Sequence, residues 1–504
     1  MPENPPTLIE EGPPFSNRFW EIFPGATMWF FIVLPLVLAF TFPAIDTAFV
    51  LIFDIFWLIK SLVFGAMTII GHYKMNSVMK TDWHDRINRL DNPEIDWHDL
   101  WQVVILATYK ESLATLEKSI DSIAKTDYPR DRMILVLATE QRDSANAQKI
   151  AAKLSQRFSK YFAMFLVTEH PDGIIGELKG KGANVTWAAK QLSSETAARG
   201  ISPGRILVST ADADTLFPSQ YFLRLSYLYV VTPDRDRCAY QPVATFFNNI
   251  WQAPMLSRVL AFGTTFWQLI ESLRPYRLIT FSTHSMSLKT LQEINYWCTS
   301  IVSEDSRQYF RSYFHYHGDF HVVPIFMPIY MDAVYVGNLK DSIKNLYLQQ
   351  QRWAYGVEHF PYIVEECERH HEIPLWDRLA LIWRAFEGNF SWAMASYFIT
   401  FVGWMPLLLN PKFSHQLLSL NFQIFTRDVL GLTWLGLLIS AYITVKILPD
   451  APKSKSRLAV LTMVLQWLLV PVTTLIFGSI PAIDAQTHFM LGKYMGFRVT
   501  PKVT

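Results

Sequence analysis

An apolar, strand-like run, Ile206-Leu207-Val208-Ser209-Thr210-Ala211, ends in Asp212-Ala213-Asp214, two carboxylates with one small residue between them. At a strand end that spacing aims oxygen atoms into the crevice above an α/β sheet, where ligands bind. Hard cations such as Mg²⁺ and Mn²⁺ take oxygen ligands, and Mg²⁺ is commonly held by one or two carboxylates plus substrate phosphates. The pair therefore reads in two ways. It suits a metal-assisted nucleotide-phosphate site, and it equally suits an ordinary strand-to-helix loop, because Asp favours turns and caps and Pro218 suits a helix start.

Three further stretches carry the same ambiguity. Lys179-Gly180-Lys181-Gly182-Ala183-Asn184 opens a helical stretch. Glycines let the backbone approach a phosphate and a lysine adds a point charge, although a flexible basic surface loop has the same composition. Val302-Ser303-Glu304-Asp305-Ser306 offers a carboxylate that can accept a proton from an attacking hydroxyl. Ser303 is equally a good N-cap, with two acids in the first turn after it. In Gln349-Gln350-Gln351-Arg352-Trp353 the guanidinium can neutralise a diphosphate and the indole can face a sugar ring. The alternative is an amphipathic helix at a membrane interface. His315, His317, Asp319 and His321 alternate at period two, as metal ligands on one strand face do. Gly318 breaks that run and nothing nearby completes a ligand set, so a structural role is expected there.

Such side chains need elements to position them. Trp101–Ala107 and Met133–Ala138 are short apolar runs, as buried parallel strands are, and Leu113, Leu116, Ile120 and Ile123 recur between them at helical spacing. That alternation predicts a βαβ unit. Phe162–Val167 and Ile206–Ser209 supply further strands, with helices around Asp143–Phe158 and Asn184–Gln191. Polar residues gather just past three strand ends, at Thr108-Tyr109-Lys110-Glu111, Thr139-Glu140 and Asp212-Ala213-Asp214. No Gly-x-Gly-x-x-Gly or Walker loop is present, which argues against a dinucleotide or P-loop enzyme.

The rest of the chain has the texture of a membrane protein: 50% of its 504 residues are hydrophobic and 15% aromatic, with a mean hydropathy of +0.14. The net charge of +1 gives no reason to expect a nucleic-acid partner. Cys238, Cys298 and Cys367 have no metal-ligand spacing and read as reduced structural residues of a cytosol-facing domain. The first apolar stretch is too long for a secretory signal and follows Glu10-Glu11. Ile22–Ile45 is uncharged and long enough to cross a bilayer core of about 30 Å. Thr47–Gly71 follows, carrying Asp54 and Lys60, which either line a polar path between helices or escape to an interface. Lys74, Lys80, Arg86 and Arg89 then put the emerging chain in the cytosol. Downstream, Pro374–Phe390 suits an interface helix, and Gly388–Pro411, Val429–Val445 and Leu458–Ile483 are uncharged. Lys453, Lys455 and Arg457 make the last loop cytosolic.

Taken in order, Val104 to Glu111, Lys179 to Asn184, Asp212-Ala213-Asp214, Ser303-Glu304-Asp305 and Gln349-Gln350-Gln351-Arg352-Trp353 resemble glycosyltransferase family 2. The likeness is strongest to its membrane-embedded branch, which includes cellulose, chitin, mannan and hyaluronan synthases, and it covers roughly residues 100 to 390 plus the flanking helices. The resemblance implies a GT-A-type, Rossmann-like α/β domain in the cytosol, flanked by transmembrane helices. The expected divisions are a leader and two spans at 1–94, the catalytic domain at 95–331, the Gln-Gln-x-Arg-Trp segment and interface helix at 332–390, and a C-terminal membrane region at 391–504.

It also implies roles. Thr108, Tyr109 and Glu111 match the first nucleotide-binding loop, and Lys179 matches the lysine five residues before the motif's asparagine. Asp212 and Asp214 match the pair that holds the donor diphosphate and Mg²⁺ or Mn²⁺. Asp305 matches the general base, with Glu304 beside it. Gln349, Gln350, Arg352 and Trp353 match the motif that holds the diphosphate and the acceptor sugar. Many relatives carry an acidic pair where this chain has Ala138-Thr139-Glu140, so Glu140 is expected to take over the contact to base or ribose. Ser303 replaces the more usual threonine, and Phe281 to Met286 lacks the glycines often found at the acceptor wall, which leaves the acceptor open.

The partners so implied are a UDP- or GDP-sugar, a glycan or lipid-linked acceptor, and membrane lipid. The implied reaction is inverting transfer at the cytosolic face of a cell membrane, processive and threading its product through the membrane helices. The alternatives are transfer of a single sugar to a lipid carrier, or a non-catalytic receptor or transporter. One conflict stands out: five spans put the C-terminus outside, whereas the relatives' terminal segment, here Pro481 to Lys502, stays cytosolic.

Overall fold

The computed structural model describes residues 17–90, 94–453 and 457–496. Expectations resting on Glu10-Glu11, Lys455 and Lys502 lie outside the described residues.

Seven strands form one mixed sheet in the order β3-β2-β1-β4-β6-β5-β7. β1 (Trp101–Ala107), β2 (Met133–Glu140), β3 (Met164–His170) and β4 (Ile206–Asp212) are mutually parallel. The chain returns between them through the helices Leu113–Ala124, Ser144–Phe158 and Lys181–Ala198. The middle of β1 and all of β2 are buried, because helices cover both faces, and that is why these strands read as continuous apolar runs. Ala107 pairs with Ala138 on one side and Asp212 on the other, so three strand ends finish at one edge.

The other half of the sheet departs from the expected alternation. β5 (Cys238–Thr245) and β7 (His321–Tyr330) run parallel, and the short β6 (Ser285–Ser287) is antiparallel to both β4 and β5. Pro242 in β5 and Pro324 and Pro328 in β7 hide these strands from a pattern search, since proline donates nothing to a ladder. The pairing tolerates them through a register shift between Gln241 and Val243.

Among the described residues, five helices are long and apolar enough to cross a membrane: Arg18–Thr41, Pro43–Lys80, Leu375–Leu409, Leu417–Ile447 and Leu458–Met490. The expected interface helix and the span after it are one continuous helix, Leu375–Thr400, before shorter turns to Leu409. Pro43–Lys80 and Leu417–Ile447 approach closely through glycines. A Cβ on Gly65 would lie 2.9 Å from Ile439 Cδ1, and one on Gly436 would lie 2.8 Å from Ser61 Oγ. Lys60 pairs with Glu387 at 2.9 Å, joining the second helix to Leu375–Thr400. Asp54 is buried.

The last apolar segment is not one rod. It breaks into helical pieces of different pitch at 457–465, 466–469, 470–474, 475–479 and 480–490, with prolines at Pro471 and Pro481. Both ends of it touch the sheet domain. Gln466 Oε1 accepts from Arg258 Nε at 2.8 Å on the helix Met255–Ser272. Asp484 Oδ2 accepts from Gln351 Nε2 at 2.6 Å and from Tyr347 OH at 3.0 Å on the helix Leu339–Ala354.

Candidate active site

The centre of the site is the end of β4. Lys181 Nζ donates to Asp212 Oδ1 at 2.6 Å and to the Ser282 carbonyl at 2.7 Å, and Ser282 Oγ donates to Asp212 Oδ2 at 2.6 Å. Burial alone pushes the Lys181 ammonium down. The carboxylates of Asp212, Glu304 and Asp305 outweigh it and hold the group above its usual value.

Lys181 gets there because Gly182 has no side chain. A Cβ at Gly182 would lie 2.4 Å from the Cys298 carbonyl and 3.0 Å from Glu304 Cβ, so only glycine lets the start of the Lys181–Ala198 helix sit against Glu304. Asn184 fixes the same turn by donating to the Ala138 carbonyl at 2.9 Å, at the end of the β2 core.

Glu304 and Asp305 open the helix Glu304–His315, where acids complement the exposed amides of the first turn. Ser303 occupies the N-cap without a side-chain capping bond, and Asp305 Oδ1 instead accepts from Ser306 N at 2.8 Å. The helix is pinned from behind: Ser303 N donates to Glu358 Oε1 at 3.0 Å, and Ser306 Oγ lies 2.8 Å from His359 Nε2. Burial raises both carboxyls above their usual range, with Asp305 adding to the rise at Glu304, while Lys181 and Arg352 pull both back down. Arg352, from the Gln-Gln-x-Arg-Trp helix, thus faces the same carboxylates.

Asp214 is buried two residues past the strand end, and its Oδ2 accepts from Asp332 N at 2.9 Å. Asp332 also lines a small recess with Gln349, Gln350, Trp353 and Phe246. Trp353 packs on Phe246, with ring centroids 6.1 Å apart. Gln349 and Gln350 are buried.

A second recess lies beyond β2 and β3, lined by Glu140, Arg142, His170, Asp172, Glu177 and Lys179 among others. Glu140 pairs with Arg142, whose guanidinium carbon sits 3.9 Å from the centre of the Tyr109 ring. Thr108 is buried, and its amide donates to the Ala138 carbonyl at 3.0 Å. Glu111 is half-buried in the loop that leads to the Leu113–Ala124 helix.

Asp212, Glu304, Asp305 and Arg352 therefore share one cluster, with Asp214, Gln349, Gln350 and Trp353 along one side and Tyr109 and Glu140 along another. Lys179 stands apart from the cluster: it pairs with Asp172 at 2.7 Å on the rim of the second recess. Lys181, two residues on, is the lysine that meets Asp212. The sequence motif contains Lys181 but gives it no role of its own, and no motif marks Ser282, Arg142 or Asp332. The only sequence signal for Lys181 was its place immediately before Gly182. Ser282 lies in the stretch expected to form the acceptor wall. That stretch is anchored by His284, whose Nδ1 faces the Phe281 carbonyl at 2.9 Å and whose Nε2 accepts from Trp297 Nε1 at 3.1 Å. Burial pushes His284 down to about 4, so it is neutral.

No family model matches the chain, and no curated protein does. Among solved structures, a mannosyltransferase from Pyrobaculum calidifontis in complex with GDP-Man and Mn²⁺ superimposes with a TM-score of 0.41 at 15% identity, over 88% of this chain and 100% of that one. Residues 1–349 of S. aureus TarS, in complex with UDP-GlcNAc, give a TM-score of 0.35 at 13% identity, over 78% and 93%. Likenesses this loose transfer no site.

Of the remaining titratable motif, His315, His317, Asp319 and His321 do not converge. Asp319 pairs with Arg237, and His321 Nε2 lies 3.2 Å from Cys238 Sγ. All three cysteines are free and buried.

Proposed function

We propose that the chain is a membrane-embedded, inverting glycosyltransferase of the family 2 type, moving a sugar from a UDP- or GDP-sugar to a growing glycan at the cytosolic face. The observation that carries this reading is the half-buried cluster in which Lys181, Asp212, Glu304, Asp305 and Arg352, drawn from four separate stretches of sequence, act on one another. A protein that merely binds a ligand has no need of a carboxylate pair, one member of it buried, beside two cations.

In this reading an acceptor hydroxyl attacks the anomeric carbon from the side of Asp305, which takes the hydroxyl proton. Arg352 and Lys181 face the negative charge that builds on the leaving diphosphate, the electrostatic contribution that usually dominates catalysis. Tyr109, Arg142 and Glu140 form the wall for base and ribose. Trp353 offers a flat face to the acceptor sugar, positioning it without demanding one hydroxyl pattern. The donor set at the strand edge consists of carboxylate oxygens, which fits Mg²⁺ or Mn²⁺. Lys181 and Ser282 already hold Asp212, so Asp214 would be the principal ligand, with Asp212 beside it. Such an ion, when bound, supplies positive charge to the diphosphate.

The apolar helices support placement in a membrane. Their polar pair Lys60–Glu387 and buried Asp54 are candidates to line a path for the product, because glycan hydroxyls cannot be left unpartnered in lipid.

The test is direct. Purified protein is incubated with a panel of UDP- and GDP-sugars, and both released nucleotide and product length are measured. Nucleotide release from one donor is expected, abolished by EDTA and restored by Mn²⁺ or Mg²⁺. Long chains beside unreacted acceptor mark a processive enzyme, and a single-sugar glycolipid selects transfer to a lipid carrier. Turnover that survives EDTA sinks the metal assignment, and no release from any donor sinks the glycosyltransferase reading.

A further inference from the structure

One member of the alternating histidine motif does find partners, but more than fifty residues downstream. His317 Nδ1 lies 2.7 Å from Glu372 Oε1, and His370 Nδ1 lies 2.5 Å from the same oxygen. Ligand atoms from the three side chains all lie within 4.8 Å of one another.

We propose that His317, His370 and Glu372 form a binding site for a divalent transition metal of the zinc class, separate from the Asp212–Asp214 site. Two imidazoles and a carboxylate are the donor set that such ions prefer, whereas Mg²⁺ prefers oxygen alone. Three protein ligands leave a fourth position for water, and His317 and Glu372 are exposed enough for an ion to enter.

What distinguishes the cluster from a chance group of surface side chains is His370. Its ring stacks on the buried Phe314 with centroids 5.4 Å apart, and its other nitrogen, Nε2, lies 3.2 Å from Glu366 Oε2. Glu366 is itself fixed by Arg369 Nη1 at 2.6 Å on its second oxygen. A carboxylate behind a ligand histidine sets the tautomer and ring orientation, with Nδ1 left to face the ion. A zinc-sized ion at about 2.0–2.1 Å from each donor requires donor-to-donor separations of roughly 3.3 Å, reached here by small rotations of the exposed His317 and Glu372. On binding, each Nδ1 gives up its proton to solvent and the ion replaces the shared hydrogen bonds.

The ion would clip together two places in the fold. His317 follows the helix Glu304–His315, whose first turn carries the carboxylate pair, and His370 and Glu372 lie in the turn before the helix Leu375–Thr400. The site would therefore tie the end of that catalytic helix to the entry of the third apolar helix.

The full-length protein, purified on a tag without histidines and stripped with chelator, is titrated with Zn²⁺ in excess Mg²⁺, which occupies the carboxylate site. One Zn²⁺ per chain is expected, and Co²⁺ in its place should give the visible absorption bands of a four-coordinate ion. His317→Ala and His370→Ala should each abolish both signals while leaving the elution profile and the nucleotide release unchanged. Glu366→Gln should weaken binding about 10- to 100-fold, the usual effect of losing an orienting partner. Wild type that takes up no Zn²⁺, or binds it no better than the two histidine variants, overturns the proposal.

Discussion

Asp305 and Lys181 show how much a single group depends on its surroundings here. Asp305→Asn keeps the shape and the Ser306 amide bond but cannot take a proton, and base catalysis is typically worth about 10²- to 10⁴-fold. Turnover should fall by that factor while nucleotide binding persists; turnover near wild type would instead make Glu304 the base. The pH profile gives a second reading of the same pair. Both carboxyls are raised by burial, so activity should be lost on acidification at a pH above the ordinary carboxylate value of about 4. The sign for stability is opposite: groups that fold preferentially protonated cost stability as pH rises through their raised values. Lys181 lowers both carboxyls, so Lys181→Met should move the acid limb of kcat/KM to still higher pH. An unmoved limb would separate Lys181 from the pair. Motif order singles out Asp305 and Arg352, and the fold brings the two into one cluster. The resemblance picked Lys179, whereas Lys181 is the lysine that meets Asp212, because that depends on which lysine faces Asp212 once Gly182 has brought the helix in.

The elements divide by how locally they are encoded. β1, β2 and β4 and the helices between them follow from apolar runs and spacing, since a parallel strand buried on both faces leaves a continuous signature. β5 and β7 were hidden by their prolines, and β6 is three residues long, so tertiary pairing rather than local pattern makes them strands. The junction between the Lys181–Ala198 helix and the Cys298–Glu304 segment was equally invisible, because it rests on one missing Cβ. Gly182→Ala tests it. The new methyl would meet the Cys298 backbone at 2.4 Å, and backbone cannot rotate aside as a side chain can. Overpacking of this kind costs about 1–3 kcal/mol. Thermal unfolding should show that loss, together with weaker nucleotide binding as Lys181 withdraws from Asp212. A variant of unchanged stability and affinity would mean that the helix start is free to shift.

For the whole molecule, the proposed membrane placement leaves open how often the chain would cross. The helices Arg18–Thr41 and Leu375–Leu409 meet at their far ends, where Asn410 Nδ2 donates to the Phe40 carbonyl at 3.3 Å. Pro43–Lys80 and Leu417–Ile447 return beside the sheet domain: Lys74 Nζ sits 4.1 Å from the centre of the Phe326 ring, and the Pro449 carbonyl accepts from Trp251 Nε1 at 3.2 Å. The fifth segment behaves differently. Gln466 and Asp484 both bond to helices that flank one recess of the sheet domain, which a segment crossing about 30 Å of hydrocarbon cannot do. Leu458, Leu461, Leu465, Leu468, Val472, Ile476 and Ile480 are exposed at helical spacing. Its inward side packs Met463, Trp467 and Phe477 into the core beside the buried Gln466, Thr473 and Ser479, so the segment is held along the domain while its apolar stripe faces outward. The end of the described chain then sits beside its beginning. Arg18 reaches the Phe489 and Met490 carbonyls, and Tyr494 OH donates to Glu21 Oε2 at 2.9 Å. We therefore expect four crossings and a C-terminus on the catalytic side, which removes the parity conflict without moving the catalytic domain. A reporter active only in the cytosol, fused after Lys502, should be active, as should one inserted at Lys453. A silent cytosolic reporter after Lys502, with an active one on the far side, would make Leu458–Met490 a true span and leave the contacts at Gln466 and Asp484 to be explained by another arrangement.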